Sequence, residues 1–207
     1  MRSIRAVLLI VFVAAFVIYT ADQLSKLWVI NTLPPGVAVP VWGNFLVFEY
    51  VKNPGAAFSF ASGATWIFSL IATAVVIFII VNARKIRSVW WAVVFGLLLG
   101  GTLGNLTDRL FREPSFGQGH VIDFISMPWM LPAIYNVADA AIVVSMVILC
   151  ILVLLGINMN GTRTKGDGKA LKAMNYGANP TVSGGPGIGP GAGGSGVGAS
   201  GAGSSGV

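Results

Sequence analysis

The sequence predicts an α-helical polytopic membrane protein with four transmembrane helices and a small extracytoplasmic β-sheet. Three observations carry that reading. Mean hydropathy is +0.81 and only 10% of the residues are charged, too few to solvate an ordinary soluble domain of 207 residues. Four apolar stretches, 4–20, 65–81, 89–107 and 131–157, approach the roughly 20 residues needed to cross a hydrocarbon core. Nine of the thirteen basic residues, Arg2, Arg5, Arg84, Lys85, Arg87, Arg163, Lys165, Lys169 and Lys172, fall where both ends and the middle loop share one side, which the positive-inside rule makes cytoplasmic. The net charge of +6 is thus a topology signal and no nucleic-acid partner is expected.

The first stretch follows Arg2 and Arg5 as a signal peptide would, yet no small-residue cleavage site ends it, so a retained span is expected. Asp22 and Lys26 stand one helical turn apart at its outer end, a spacing that permits an ion pair. The segment 31–63 changes pattern: Pro34, Pro35, Gly36 and Pro40 break the helix, and residues 45–51 are aromatic and β-branched, as strands are. Asn53-Pro54-Gly55 reads as a turn before the apolar run 56–60. Phe45, Phe48, Tyr50, Phe58 and Phe60 suit either an interfacial platform or packing on the helices.

In the third stretch, Gly96, Gly100 and Gly104 recur at every fourth position, a small-residue ridge on which another helix packs closely. Asn105, Asp108 and Arg109 share a face at its outer end, and a local Asp108–Arg109 ion pair is expected. The loop 111–119 is polar. His120, the single histidine, has no Cys or His partner at metal-ligand spacing, so neither a metal nor another cofactor is expected. There is likewise no nucleophile elbow or phosphate-binding loop.

The chemistry concentrates between residues 121 and 142, where Asp123 and Asp139 lie in strongly apolar sequence. Such carboxylates must be paired, hydrated in a cleft or protonated, and two that converge can share one proton and activate water. Asp123 is read in a loop. Asp139 is expected some 10 Å into a fourth helix counted from Pro132, a depth at which an ionisable residue is functional by default. Cys150, deep in that span, is expected to be a buried small hydrophobe. Residues 158–207, basic and then rich in Gly, Ser, Ala and Pro, are expected to form a disordered cytoplasmic tail beside a membrane domain of 1–157.

Five blocks together resemble the bacterial lipoprotein signal peptidases, the type II signal peptidases. They are Asp22-Gln23-Leu24-Ser25-Lys26, Asn53-Pro54-Gly55-Ala56-Ala57-Phe58-Ser59, the run from Gly100 through Gly104 and Asn105 to Asp108-Arg109, Val121-Ile122-Asp123-Phe124, and Asn136-Val137-Ala138-Asp139-Ala140-Ala141. They occur in the family's order across residues 15–150. The resemblance implies a membrane aspartic endopeptidase that cleaves signal peptides from diacylglyceryl-modified prolipoproteins just before the lipidated cysteine. Its partners would be that substrate and the membrane lipids. It places the catalytic aspartates at Asp123 and Asp139 and supporting positions at Asp22, Lys26, Asn53, Gly104, Asn105, Asp108, Arg109, Asn136 and Ala138. In the mechanism expected, one aspartate activates water while the other polarises the scissile carbonyl, with the roles left open. A proton-coupled transporter using intramembrane aspartates is the rival; six of the seven acids gather toward one face, and no charged relay runs through the inner halves of the spans.

Overall fold

A computed structural model describes residues 3–55 and 65–164; the apolar run 56–60 and the Gly-rich tail lie outside the described residues. Four helices long and apolar enough to cross a membrane are present, α1 (Ile4–Thr32), α2 (Thr65–Asn82), α3 (Val89–Phe111) and α4 (Val137–Leu154). A four-stranded antiparallel sheet, β1 (Ala38–Trp42), β2 (Leu46–Asn53), β3 (Val121–Met127) and β4 (Leu131–Tyr135), joins them at one end in the order β1-β2-β3-β4.

Helix α3 is the centre of the bundle. Of its membrane-spanning window 61% is buried inside the protein, against 11–22% for the others, so α1, α2 and α4 turn apolar faces outward. The glycine ridge makes this possible. At Gly100 an added Cβ would come within 2.6 Å of the Ala15 carbonyl oxygen, so α1 lies directly on the α3 backbone. At Gly104 it would run into the Asp22 carboxylate and sit 3.3 Å from the Ala138 methyl, where α1, α3 and α4 meet. At the opposite end Val7, Val11, Ile79, Ile86, Trp91, Val94, Phe95 and Leu152 form an apolar core.

Helix α1 is longer than the stretch 4–20. Begun by Ser3, whose Oγ accepts from the Ala6 N–H, it runs 29 residues, about 43 Å at 1.5 Å per residue. Asp22 and Lys26 neutralise each other within it, and only Pro34-Pro35 forbids continuation. The fourth helix, conversely, starts late: residues 131–135 are an edge strand, where Pro132 is tolerated because its missing N–H faces no partner. Asp123 lies on strand β3 and not in the expected loop; Val121 to Phe124 are all buried, and such a strand lacks the alternation that marks a half-exposed one. The sheet therefore draws two of its strands from 121–135 as well as two from 31–63. Cys150 is exposed, correcting the expected burial: on a helix that faces lipid, apolar neighbours do not mean the protein interior. Beyond α4, residues 157–164 form a turn whose Met159 carbonyl accepts from the Arg87 and Ser88 N–H groups, so the polar segment starts with structure that closes the end of α3.

Candidate active site

Strand β3 and the first turn of α4 bring Asp123 and Asp139 to one place. Asp123 faces the bundle, opposite Val51 of β2, and is 2% exposed. Asp139 is the third residue of α4, not a residue deep within it: Asn136 caps the helix, its Oδ1 accepting from the Asp139 N–H at 2.9 Å, while Asp139 Oδ2 accepts from the Asn136 N–H at 3.2 Å. This reciprocal box ends β4 and starts the helix in one step, and it sets a carboxylate at the positive end of the helix dipole. Asn136-Val137-Ala138-Asp139 has the spacing of that box, so the boundary was present in the sequence.

Three asparagine amides hold the carboxyls, and obligate donors fix which way each amide points. Gly55 N–H donates to Asn53 Oδ1 at 2.8 Å, leaving Asn53 Nδ2 to donate to Asp123 Oδ2 at 2.7 Å. The Asp139 N–H occupies Asn136 Oδ1, so Asn136 Nδ2 donates to Asp123 Oδ1 at 2.7 Å and to Asn105 Oδ1 at 3.1 Å. Asn105 Oδ1 also accepts from Lys26 Nζ at 3.1 Å, so Asn105 Nδ2 donates to Asp139 Oδ1 at 2.7 Å. Each of the four carboxyl oxygens thus receives an N–H, the arrangement that tolerates buried carboxyl groups.

Beneath the asparagines lies a buried charge cluster. Lys26 Nζ reaches Asp22 Oδ2 at 2.8 Å and Asp108 Oδ2 at 2.7 Å, all three side chains being fully buried. Asp22 Oδ1 accepts from the Ala138 N–H at 3.0 Å, tying α1 to the start of α4. Asp108 Oδ2 accepts from the Ile122 N–H at 3.2 Å, tying α3 to β3 next to Asp123. The expected Asp108–Arg109 pair is not formed: successive helical residues diverge by about 100°, and Asp108 pairs with Arg112, one turn on, at 2.6 Å. Arg109 instead donates to the Asn105 carbonyl at 3.3 Å, lies 5.7 Å from the Phe68 ring centre, and feels the charges of Asp139 and Asp123. The structure thus brings together Asp22, Lys26, Asn53, Gly104, Asn105, Asp108, Arg109, Asp123, Asn136, Ala138 and Asp139. It adds Arg112 and Gln23, whose amide donates to Asp22 Oδ2 and to the Gly104 carbonyl, both at 3.1 Å. Arg112 was legible from its four-residue spacing to Asp108; nothing in the sequence separated Gln23 from a helix-end polar residue.

Burial pushes the Asp123 carboxyl up to about 7, the charge of Asp139 adds to the rise, and the Asn53 and Asn136 hydrogen bonds and Lys26 oppose it. Two apolar cavities lie at this part of the bundle, one reaching Arg109 and the other Asp139. One of about 540 Å³ runs between α2, α3 and α4 past Phe68, Ile142 and Met146 to Arg109. The other, of about 510 Å³, lies between β4 and α4 and is lined by Met130, Leu131, Tyr135, Val143 and Asp139 itself. Two buried carboxyl groups, one of them lining an apolar cleft, suit acid–base chemistry on an apolar substrate.

The sequence model of the family described as signal peptidase (SPase) II matches residues 14–155. Over 166 residues, 80% of this chain and 76% of the relative, the chain is 52% identical to a lipoprotein signal peptidase of Leifsonia xyli subsp. xyli. It is 45% identical over 155 residues to that of Rhodococcus jostii, covering 75% of this chain and 77% of the relative. A bacterial membrane enzyme solved by the in meso method at 1.9 Å superposes with a TM-score of 0.62 at 26% identity, over 70% of this chain and 92% of that one.

Proposed function

The chain belongs to the signal peptidase II family, and from that membership we propose that it is a membrane aspartic endopeptidase removing signal peptides from diacylglyceryl-modified prolipoproteins. The observation that carries the mechanism is the pair Asp123 and Asp139, delivered by different elements and held in one asparagine network. Asp123, buried and with its carboxyl raised to about 7, carries the proton near neutral pH. It donates to the scissile carbonyl oxygen while ionised Asp139 takes a proton from water. The water oxygen attacks the carbonyl carbon to give a gem-diol; as the C–N bond breaks, Asp139 gives its proton to the leaving nitrogen and a diol hydroxyl returns one to Asp123, so the pair is restored with no covalent intermediate. The Arg109 guanidinium, at the mouth of the α2–α3–α4 cavity, is placed to hold a substrate carbonyl.

The distribution of basic residues supports an orientation with the sheet end outside the cytoplasm and residues 3 and 164 on the cytoplasmic side. In that orientation a lipidated cysteine keeps its acyl chains in the outer leaflet while the peptide enters beside Asp139. Purified protein should cleave a synthetic precursor bearing a diacylglyceryl cysteine, and leave the same peptide without lipid largely intact. Equal cleavage of both forms would contradict lipid-dependent recognition.

A further inference from the structure

Lys26 spends its three N–H donors in an informative way. Two go to carboxylates, Asp22 and Asp108, which alone would satisfy a buried ammonium; the third goes to a neutral amide, Asn105 Oδ1, at 3.1 Å. That amide has one donor end and one acceptor end, and its donor end contacts Asp139 Oδ1 at 2.7 Å. Reversed, it would present a carbonyl oxygen to Asp139, a contact that only a protonated Asp139 satisfies. Asn136 Nδ2 also donates to Asn105 Oδ1 at 3.1 Å, its second N–H going to Asp123, but as a neutral amide it brings no charge to the contact. An ammonium has no acceptor end, so Lys26 cannot adapt to a reversed amide.

We infer that Lys26 is a positioning residue for the reaction: by holding the Asn105 amide with its N–H toward Asp139, it keeps Asp139 a hydrogen-bond acceptor, ready to take a proton from water. The inference rests on the reading of Asp123 and Asp139 as the catalytic pair. The other groups facing Asp139 do different work. From α3, Arg109 adds positive charge but hydrogen-bonds the Asn105 backbone carbonyl rather than its amide, and Asp108 is bound to Lys26 and Arg112. From α1, Asp22 reaches the start of α4 through the Ala138 N–H. From β3 comes Asp123 itself, and from β4 Tyr135 lines the same cavity as Asp139. Among the described residues, Lys26 alone joins charge and amide direction in one contact.

The test compares wild type, Lys26→Met and Lys26→Arg on the lipidated precursor, with rates expressed per folded enzyme across a pH series. In Lys26→Met, kcat should fall about ten- to a hundredfold, the range for partners that orient a reacting group, with KM little changed. The acidic limb of the rate profile should move to higher pH, since the ionised form of the pair loses both a positive charge and the directed N–H. Lys26→Arg, which keeps charge and donors, should return the limb toward its wild-type position. If Lys26→Met does not accumulate in the membrane, Lys26→Met/Asp108→Asn, which removes one charge of each sign, carries the same test. A purely structural lysine would lower the yield of folded protein while leaving kcat and the acidic limb unchanged, and that result overturns the inference. Asp139→Asn, assayed alongside, separates the two ideas: if it is inactive while Lys26→Met keeps the wild-type profile, the positioning role falls alone; if it is active, the catalytic pair falls.

Discussion

At the residue scale, Asp123 departs furthest from its ordinary chemistry. Its carboxyl sits at about 7 in the folded chain, against roughly 4 for an unfolded aspartate. Between those values the folded state binds more protons than the unfolded one, so its stability falls as pH rises from about 4 to 7 and levels off above. Asn at this position does not titrate. The stability of wild type relative to Asp123→Asn should therefore drop across that window by on the order of a few kcal/mol, whatever constant offset the lost carboxylate hydrogen bond adds. Thermal unfolding of both proteins in one detergent from pH 4 to 8 checks it; parallel curves would show that Asp123 is not held protonated. Asp139 drew attention in the sequence as an acid in an apolar helix, and its actual depth was legible from the Asn136 capping spacing. Asp123 was not distinguishable from Asp22 or Asp108 without the family resemblance, because all three are single acids near apolar segments. What separates them is a cation: Lys26 pairs Asp22 and Asp108, while among the described residues the Asn53 and Asn136 amides hydrogen-bond Asp123.

At the element scale, the site depends on how closely α1 and α4 approach α3. Gly100 allows the Ala15 backbone to touch α3, and Gly104 brings Asp22 and Ala138 together four residues further toward the sheet. Gly100→Ala should destabilise the protein by about 1–3 kcal/mol, the usual cost of overpacking, because its Cβ meets a backbone oxygen that cannot swing aside. The enzyme that remains folded should keep the wild-type pH profile, since Gly100 is a turn removed from Asn105. Unfolding midpoints and pH–rate profiles of that variant check both parts, and wild-type stability would contradict the close contact. The glycine spacing made this packing legible. The β3 and β4 strands were not, because one is buried on both faces and the other carries Pro132 within an apolar run that merges with α4. A continuous apolar run holds the same composition whether it ends in a strand or a span, and here the Asn136 cap alone divides them.

At the scale of the whole molecule, four helices provide a scaffold that lipid surrounds, and polar chemistry is confined to the end that carries the sheet. Hydropathy and the placement of basic residues made the four spans legible, since both are forced by the bilayer itself. The convergence of Asn53, Asn105, Asp123, Asn136 and Asp139 was not, because it depends on a sheet whose strands come from both sides of α2 and α3. Among the described residues no buried side-chain nitrogen or oxygen lacks a hydrogen-bond partner, so the polar end is self-consistent without any group borrowed from lipid. The central claim is that two carboxyls act as one acid–base pair at this end. The direct measurement is the cleavage rate of the lipidated precursor by wild type, Asp123→Asn and Asp139→Asn, each shown to be inserted and folded. The account predicts that each substitution lowers the rate by at least about a thousandfold, the upper range for acid–base catalysis. Near wild-type cleavage by either variant would contradict it.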